Sequence, residues 1–201
     1  MSLIRLLFIL FCLSTFIIII IPIQITFNIL KLNVRYTFPV FFYRVIKNIA
    51  GIRINVIGLN DDKQKKPGTL YIANHVSWFD ILCLGAVLNA RFIAKREVLK
   101  MGIFGFLARL SNTFFIDNLS KNKITEYSSS IRKKLISGES LILFPEGTTS
   151  DGNGIKKFKS SLMECVNSNE ELLNVQPVSI CYTLKNNLPM EKAIEFIDIG
   201  G

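Results

Sequence analysis

Histidine is nearly missing from this 201-residue chain: His75 is the only one. Four cysteines, Cys12, Cys83, Cys165 and Cys181, stand in apolar contexts without CxxC spacing. These scarcities leave neither a usual zinc ligand set nor a disulfide framework, and a reducing compartment is the simplest reading. Charge is missing over one long stretch as well. From Leu6 to Leu30 there is no Asp, Glu, Lys or Arg, and Phe8 to Ile21 is almost wholly apolar. A buried core helix of that purity is unusual, whereas an uncharged helix of this length crosses the roughly 30 Å hydrocarbon core of a bilayer. A cleaved secretory signal has a shorter apolar region and a small-residue site, but Pro22-Ile23-Gln24-Ile25 follows here. No internal repeat is visible.

What the chain does contain fits that start. Half of its residues are hydrophobic and its mean hydropathy is +0.39, more than an ordinary soluble domain needs. Lys and Arg outnumber Asp and Glu by 24 to 15, a net charge of +9, which suits nucleic acid, an anionic membrane or an acidic substrate. The length allows one globular domain with a terminal appendage. Only Arg5 precedes the apolar stretch, while Lys31, Arg35, Arg44 and Lys47 follow it, and an excess of Lys and Arg marks the cytoplasmic side. The reading is an integral protein of a bacterial inner membrane, with a membrane anchor over residues 1–35 and a cytoplasmic domain over 51–201. Between them, in 36–50, the aromatics Tyr36, Phe38, Phe41, Phe42 and Tyr43 suit either a segment in the membrane interface or a core-facing helix.

Beyond residue 50 strands and helices alternate. Ile52 to Ile57 reads as a half-buried strand ending at Gly58, and Asn60 to Gly68 as a charged turn. Strands are expected at Thr69–Ala73, Arg91–Ala94, Thr113–Ile116 and Ser140–Phe144, and helices at Trp78–Leu88, Glu97–Leu110 and Ile124–Ser137. Such alternation implies an α/β layered domain.

His75 follows an apolar strand where a helix is about to begin, and strand ends are where α/β sites collect. Asp80 lies five residues on, a spacing that would put the two on different faces of a continuous helix, so His75 must precede the helix. Ser77-Trp78-Phe79-Asp80 has the form of a capping box, which would make Ser77 the N-cap and Asp80 a structural residue. The functional alternative has Asp80 reach back to the imidazole Nδ1–H, fix the tautomer and stabilise the imidazolium formed when Nε2 takes a proton. A second landmark, Phe144-Pro145-Glu146-Gly147-Thr148-Thr149-Ser150-Asp151-Gly152, leaves another strand. It is either ordinary turn chemistry or a loop offering a carboxylate, hydroxyls and close backbone approach to a polar ligand.

Together the landmarks are specific. Asn74-His75-Val76-Ser77-Trp78-Phe79-Asp80 resembles the NHxxxxD motif of the 1-acyl-sn-glycerol-3-phosphate acyltransferase family, and Phe144-Pro145-Glu146-Gly147-Thr148 resembles its FPEGT block. Asn112 to Asn118 is similar to the G-x-x-F-x-x-R block, and Val175 to Ile180, with Pro177, to the last apolar-proline block. The resemblance runs from about Gly51 to Tyr182. It implies a glycerolipid acyltransferase-like α/β domain behind an N-terminal transmembrane helix, with no metal and no organic cofactor. Acyl-CoA or acyl-carrier protein would be the donor substrate and a lysolipid the acceptor, with membrane lipid but no nucleic acid among the partners. His75 would be the base and Asp80 its orienter, while Asn74, Glu146, Gly147, Thr148, Thr149 and Lys159 would bind substrate.

Two positions depart from the pattern. Asn118 and Thr149 stand where the family has arginines associated with an acceptor phosphate, and neither supplies a charged fork. The phosphatidate-forming reaction is the general expectation, with lyso-ornithine lipid acylation as the alternative. A non-catalytic lipid-binding protein is the reading from another class. The chain ends at Gly200-Gly201 where family members usually continue, which reads as a shortened C-terminus.

Overall fold

The structure, a computed structural model, describes residues 3–58, 68–117, 121–150, 154, 156–159, 163, 173–185 and 188–189. A first helix, α1 (Leu3–Ile29), takes up the uncharged stretch, and a 3-10 turn at Asn33–Tyr36 leads into α2 (Phe38–Ile49). At about 1.5 Å per residue, the apolar span of α1 from Leu6 to Ile29 is long enough to cross a membrane. Then come β1 (Thr69–Ala73), α3 (Phe79–Val87), β2 (Arg91–Lys95), a 3-10 turn (Arg96–Lys100), α4 (Gly102–Leu110), β3 (Phe114–Ile116), α5 (Lys121–Ile136), β4 (Leu141–Leu143) and β5 (Asn174–Val178). Two short strands, β6 (Leu184–Lys185) and β7 (Leu188–Pro189), pair antiparallel.

The five longer-range strands form one parallel sheet in the order β3-β2-β4-β1-β5. Alternation along each strand sends side chains to two separate cores. Tyr71, Ala73, Phe92 and Ile142 meet Ile20, Phe42, Tyr43, Leu84, Ala86 and Leu88 from the α1, α2 and α3 side. Leu70, Ile93, Ile116, Leu141 and Leu143 meet Ile131 and Leu135 of α5. The central strands β1 and β4 are therefore apolar at almost every position, as a strand covered on both faces must be. Pro177 sits in β5, at one end of the sheet, where a missing N–H costs least.

The aromatic segment divides between its two readings. Phe42 and Tyr43 point into the core, while Phe41 on the same helix is exposed and meets Phe16 of α1 edge-on. Nor does α1 stand apart from the domain. Gln24 is buried and donates to the carbonyls of Arg35 and Leu110 at 3.0 and 3.2 Å, and Asn28 donates to Leu110 at 3.0 Å. Asn112 returns a bond to Asn28 at 2.9 Å, so a knot of amides ties the last turns of α1 to the end of α4.

Two expected elements are corrected. Residues 52–57 form no strand: Ile54 packs on the core, but Val56 and Ile57 are exposed, and both neighbours of β1 are already β4 and β5. Its alternating pattern is satisfied by packing without ladder hydrogen bonds. The expected helix Glu97–Leu110 breaks at Met101, because Gly102 takes a φ of 53° and α4 begins afresh after the 3-10 turn.

Candidate active site

Parallel strands that end together present their loops together, and β1 and β4 are neighbours in the sheet. The chain leaving β1 runs through Asn74, His75, Val76 and Ser77 before α3 starts, so His75 stands ahead of the helix. Asp80, in the first turn of α3, is completely buried. Its Oδ2 accepts from His75 Nδ1 at 2.8 Å, from Val76 N–H at 2.7 Å and from Ser77 N–H at 2.9 Å. Its Oδ1 accepts the Tyr182 hydroxyl at 2.6 Å.

A carboxylate so placed requires the proton of the neutral imidazole to be on Nδ1, which leaves a lone pair on Nε2. Nε2 has no hydrogen-bond partner among the described residues, and the His75 side chain keeps 17% of its exposure. The ring itself lies flat against Phe144, with centroids 4.1 Å apart and planes 17° from parallel, and Phe144 stacks in turn on Phe92. The imidazole is thus held by one edge and one face, and its other edge can accept a proton.

The expected N-cap is displaced by one residue. Trp78 occupies the cap position without a side-chain cap bond, while Ser77 Oγ accepts the Phe79 N–H at 3.3 Å. Asp80 does take the Ser77 N–H, as a capping box requires, but the same oxygen also holds His75. Capping and imidazole orientation are the work of one carboxylate.

The loop after β4 closes over this turn from the other side. Glu146, also buried, accepts the His75 N–H on Oε1 at 2.9 Å and the Lys156 N–H on Oε2 at 3.0 Å. Ser150 N–H donates to the His75 carbonyl at 2.7 Å. Gly147 takes a φ of 68°, and a Cβ there would sit 3.1 Å from Lys159 Nζ, so the glycine lets the lysine side chain cross the loop. Lys159 N–H donates to the Pro145 carbonyl at 2.9 Å. Lys156 Nζ reaches the Thr149 carbonyl at 2.6 Å, and Thr148 is exposed. Asn118, Asp151 and Gly152 lie outside the described residues; the preceding Asp117 is bound by Arg96 at 2.6 Å and Lys123 at 3.5 Å.

Asn74 has a different neighbourhood from the one expected of a substrate ligand. Its amide donates to the Ile180 carbonyl at 3.0 Å and accepts the Ile180 N–H at 2.7 Å, clipping the end of β1 to the segment after β5. Sequence reasoning did not single out Tyr182, which this clip places, nor Ser150 as a backbone tie. Tyr182 stands at the very end of the resemblance with no pattern of its own to distinguish it. Burial, then the adjacent Asp80 carboxylate, pushes its phenol well above the usual range, so it stays a protonated donor. Burial likewise pushes the Cys83 thiol up to about 11, which makes it an unpromising nucleophile at neutral pH.

One exposed patch beside α3 is apolar. Trp78 packs against Phe104 with ring centroids 5.6 Å apart, and Met101, Ile103 and Phe106 are exposed beside them.

Known proteins resemble this chain in sequence and in fold. The family model described as Acyltransferase matches residues 53–181. The chain is 36% identical over 175 residues to a lyso-ornithine lipid O-acyltransferase of Brucella abortus, covering 85% of this chain and 64% of that protein. It is 38% identical over 174 residues to the protein of the same name in Rhizobium meliloti, covering 84% and 59%. The chain therefore spans about three fifths of the length of these relatives. A 1-acyl-sn-glycerol-3-phosphate acyltransferase of Neisseria gonorrhoeae is 36% identical over 97 residues, covering 48% of this chain and 38% of that protein. Among solved structures, the 1-acyl-sn-glycerophosphate acyltransferase of Thermotoga maritima superposes with a TM-score of 0.57 at 16% identity, covering 88% of this chain and 81% of that one. That likeness establishes a shared fold.

Proposed function

We propose, from the premise that this chain belongs to the acyltransferase family, that it transfers a fatty acyl group from a thioester donor to the hydroxyl of a lysolipid. The observation that carries the reading is a single imidazole held on Nδ1 by a buried carboxylate, with Nε2 open at the sheet edge. A thioester is already activated, so the protein's task is to make the hydroxyl nucleophilic, and a positioned base contributes about 10²- to 10⁴-fold. His75 Nε2 takes the hydroxyl proton as the oxygen attacks the thioester carbonyl. Asp80 stabilises the imidazolium that forms. Collapse of the tetrahedral intermediate expels the thiolate of acyl-CoA or acyl-carrier protein, and the imidazolium returns the proton to it. No covalent acyl-enzyme is required.

For the acceptor, the absence of arginine at Thr149 and Asn118 and the names of the Brucella and Rhizobium relatives, matched over 85% and 84% of this chain, favour lyso-ornithine lipid. Lysophosphatidate is the second reading, favoured by Lys159 beside Gly147 and by the Neisseria relative. Membranes holding the chain, incubated with a panel of lysolipids and labelled acyl donor, decide both points. Acylation of lyso-ornithine lipid above lysophosphatidate is the expected result. Lipid binding without transfer to any lysolipid would establish the non-catalytic alternative.

The finer reading of location is an integral protein of the inner membrane of a bacterium, its domain on the cytoplasmic side. The apolar helix α1, the cations that follow it and the exposed Trp78, Ile103 and Phe104 support a site that faces the bilayer. Trp78 is the only tryptophan, so brominated phospholipids should quench the fluorescence of the vesicle-bound protein. Release of the chain by alkaline carbonate would refute membrane integration. Retention without quenching would refute only the facing.

A further inference from the structure

We propose that Tyr182 is a positioning residue of this site, one that moderates the charge Asp80 presents to His75. The argument starts from the division of labour within one carboxylate. Oδ2 is placed by three donors, His75 Nδ1 and the backbone N–H groups of Val76 and Ser77, at 2.7 to 2.9 Å. Those bonds fix where Asp80 stands without help from Tyr182. Oδ1 points the other way and takes the tyrosine hydroxyl at 2.6 Å, in a residue with no solvent exposure. What remains for Tyr182 is therefore largely electrostatic: a hydrogen bond to the charged form makes the carboxylate a weaker base.

A second observation shows that the contact is built into the fold. Tyr182 follows by two residues the Ile180 backbone that Asn74 clips with a donor and an acceptor, and Asn74 is the residue before His75. One amide thus ties together the segment carrying the base and the segment carrying the tyrosine. Other titratable groups stand nearby, and Cys83 faces both Tyr182 and Asp80. Cys83 on α3 meets Tyr182 and stays a thiol, and Lys47 on α2 acts on Cys83. Glu146, from the loop after β4, is spent on the N–H groups of His75 and Lys156, and Lys159 crosses Gly147.

The sign follows. Without the tyrosine hydroxyl, Asp80 holds more negative charge against the imidazole, the imidazolium is favoured, and His75 keeps its proton to higher pH. A stronger donor does the reverse. His75 is the only histidine, so its imidazole titration is readable by NMR without assignment in the full chain, purified without a histidine tag in detergent micelles. Tyr182→Phe should raise the titration midpoint by roughly half a unit to one unit. Replacement of Tyr182 by 3-fluorotyrosine, which keeps ring and hydroxyl, should lower it and carries the test if the phenylalanine variant does not fold. Midpoints unmoved in both variants, or moved in the opposite sense, overturn the proposal.

The kinetic consequence rests on the acyl-transfer reading given above. In Tyr182→Phe the acidic limb of kcat/KM for a lysolipid should move up by the same interval. Activity is then lost below the limb and recovered above it, with the acceptor KM unchanged. A loss equal at every pH would mean that Tyr182 is merely structural, and would overturn the proposal. If the wild type transfers no acyl group, the functional reading fails, while the histidine titration still decides the role of Tyr182.

Discussion

The loop after β1 and the loop after β4 leave neighbouring parallel strands at one edge of the sheet, and each brings a buried carboxylate to His75. Asp80 meets the imidazole; Glu146 meets the backbone N–H of the same residue. Both are acids beside a histidine, yet only the first bonds the imidazole and fixes its tautomer. The second, with the Ser150 N–H on the His75 carbonyl, holds the peptide units on either side of the histidine in place. A carboxylate's function here is set by which hydrogen it accepts, and proximity to the base is not enough.

That contrast can be broken by substitution. His75→Ala should lower acyl transfer by about 10²- to 10⁴-fold while membrane retention and circular dichroism stay as in the wild type. Near-normal turnover by the folded variant would remove the base from the scheme. Asp80→Asn should cost about 10²-fold or more, since an amide still accepts backbone N–H bonds but does not stabilise an imidazolium. Full activity in that variant would reduce Asp80 to a capping residue.

Glu146→Gln is the sharpest comparison. Gln can accept at one of the two positions, so one N–H, of His75 or Lys156, loses its acceptor, a loss of about 1 to 3 kcal/mol in stability. Turnover should fall only about tenfold, less than in Asp80→Asn, because the imidazole keeps its own carboxylate. A stable Glu146→Gln variant as inactive as His75→Ala would show that Glu146 takes part in the chemistry, and the distinction between the loops would be lost.

Smaller effects concern the outer face of the second loop. Lys159→Met should raise KM for lysophosphatidate a few-fold at low salt and leave kcat nearly unchanged, because an exposed cation is screened. Restoring arginine in the Asn118→Arg, Thr149→Arg double variant should raise kcat/KM for lysophosphatidate more than for lyso-ornithine lipid. Equal gains, or none where the wild type already uses lysophosphatidate well, would mean that these two positions do not select the headgroup.

The bases of these expectations were unequally legible. The parallel layered fold follows from apolar runs separated by helix-like segments. The buried two-sided strands β1 and β4 show it most clearly, because a strand covered on both faces leaves an almost continuous apolar run. The segment Ile52–Ile57 shows the limit: alternation reports that one side is buried, and it cannot say whether a neighbouring strand is free to pair. The break at Gly102 was hidden in a stretch apolar enough for one helix, since a single backbone angle decided it.

The sequence by itself determined an apolar N-terminal helix, an α/β domain, and a histidine and an aspartate spaced so that the histidine precedes a helix. These depend on local pattern: charge-free length, periodicity and the reach of one side chain across a turn. Only the tertiary structure decided that Glu146 faces a peptide N–H, that Asn74 clips Ile180, that Tyr182 covers Asp80, and that Gln24 and Asn28 tie α1 to the end of α4. Each of those bonds joins residues 71 to 106 positions apart. No short window of sequence contains both partners, and their hydrogen bonds exist only after the sheet has set its strand order and brought the loops to one edge.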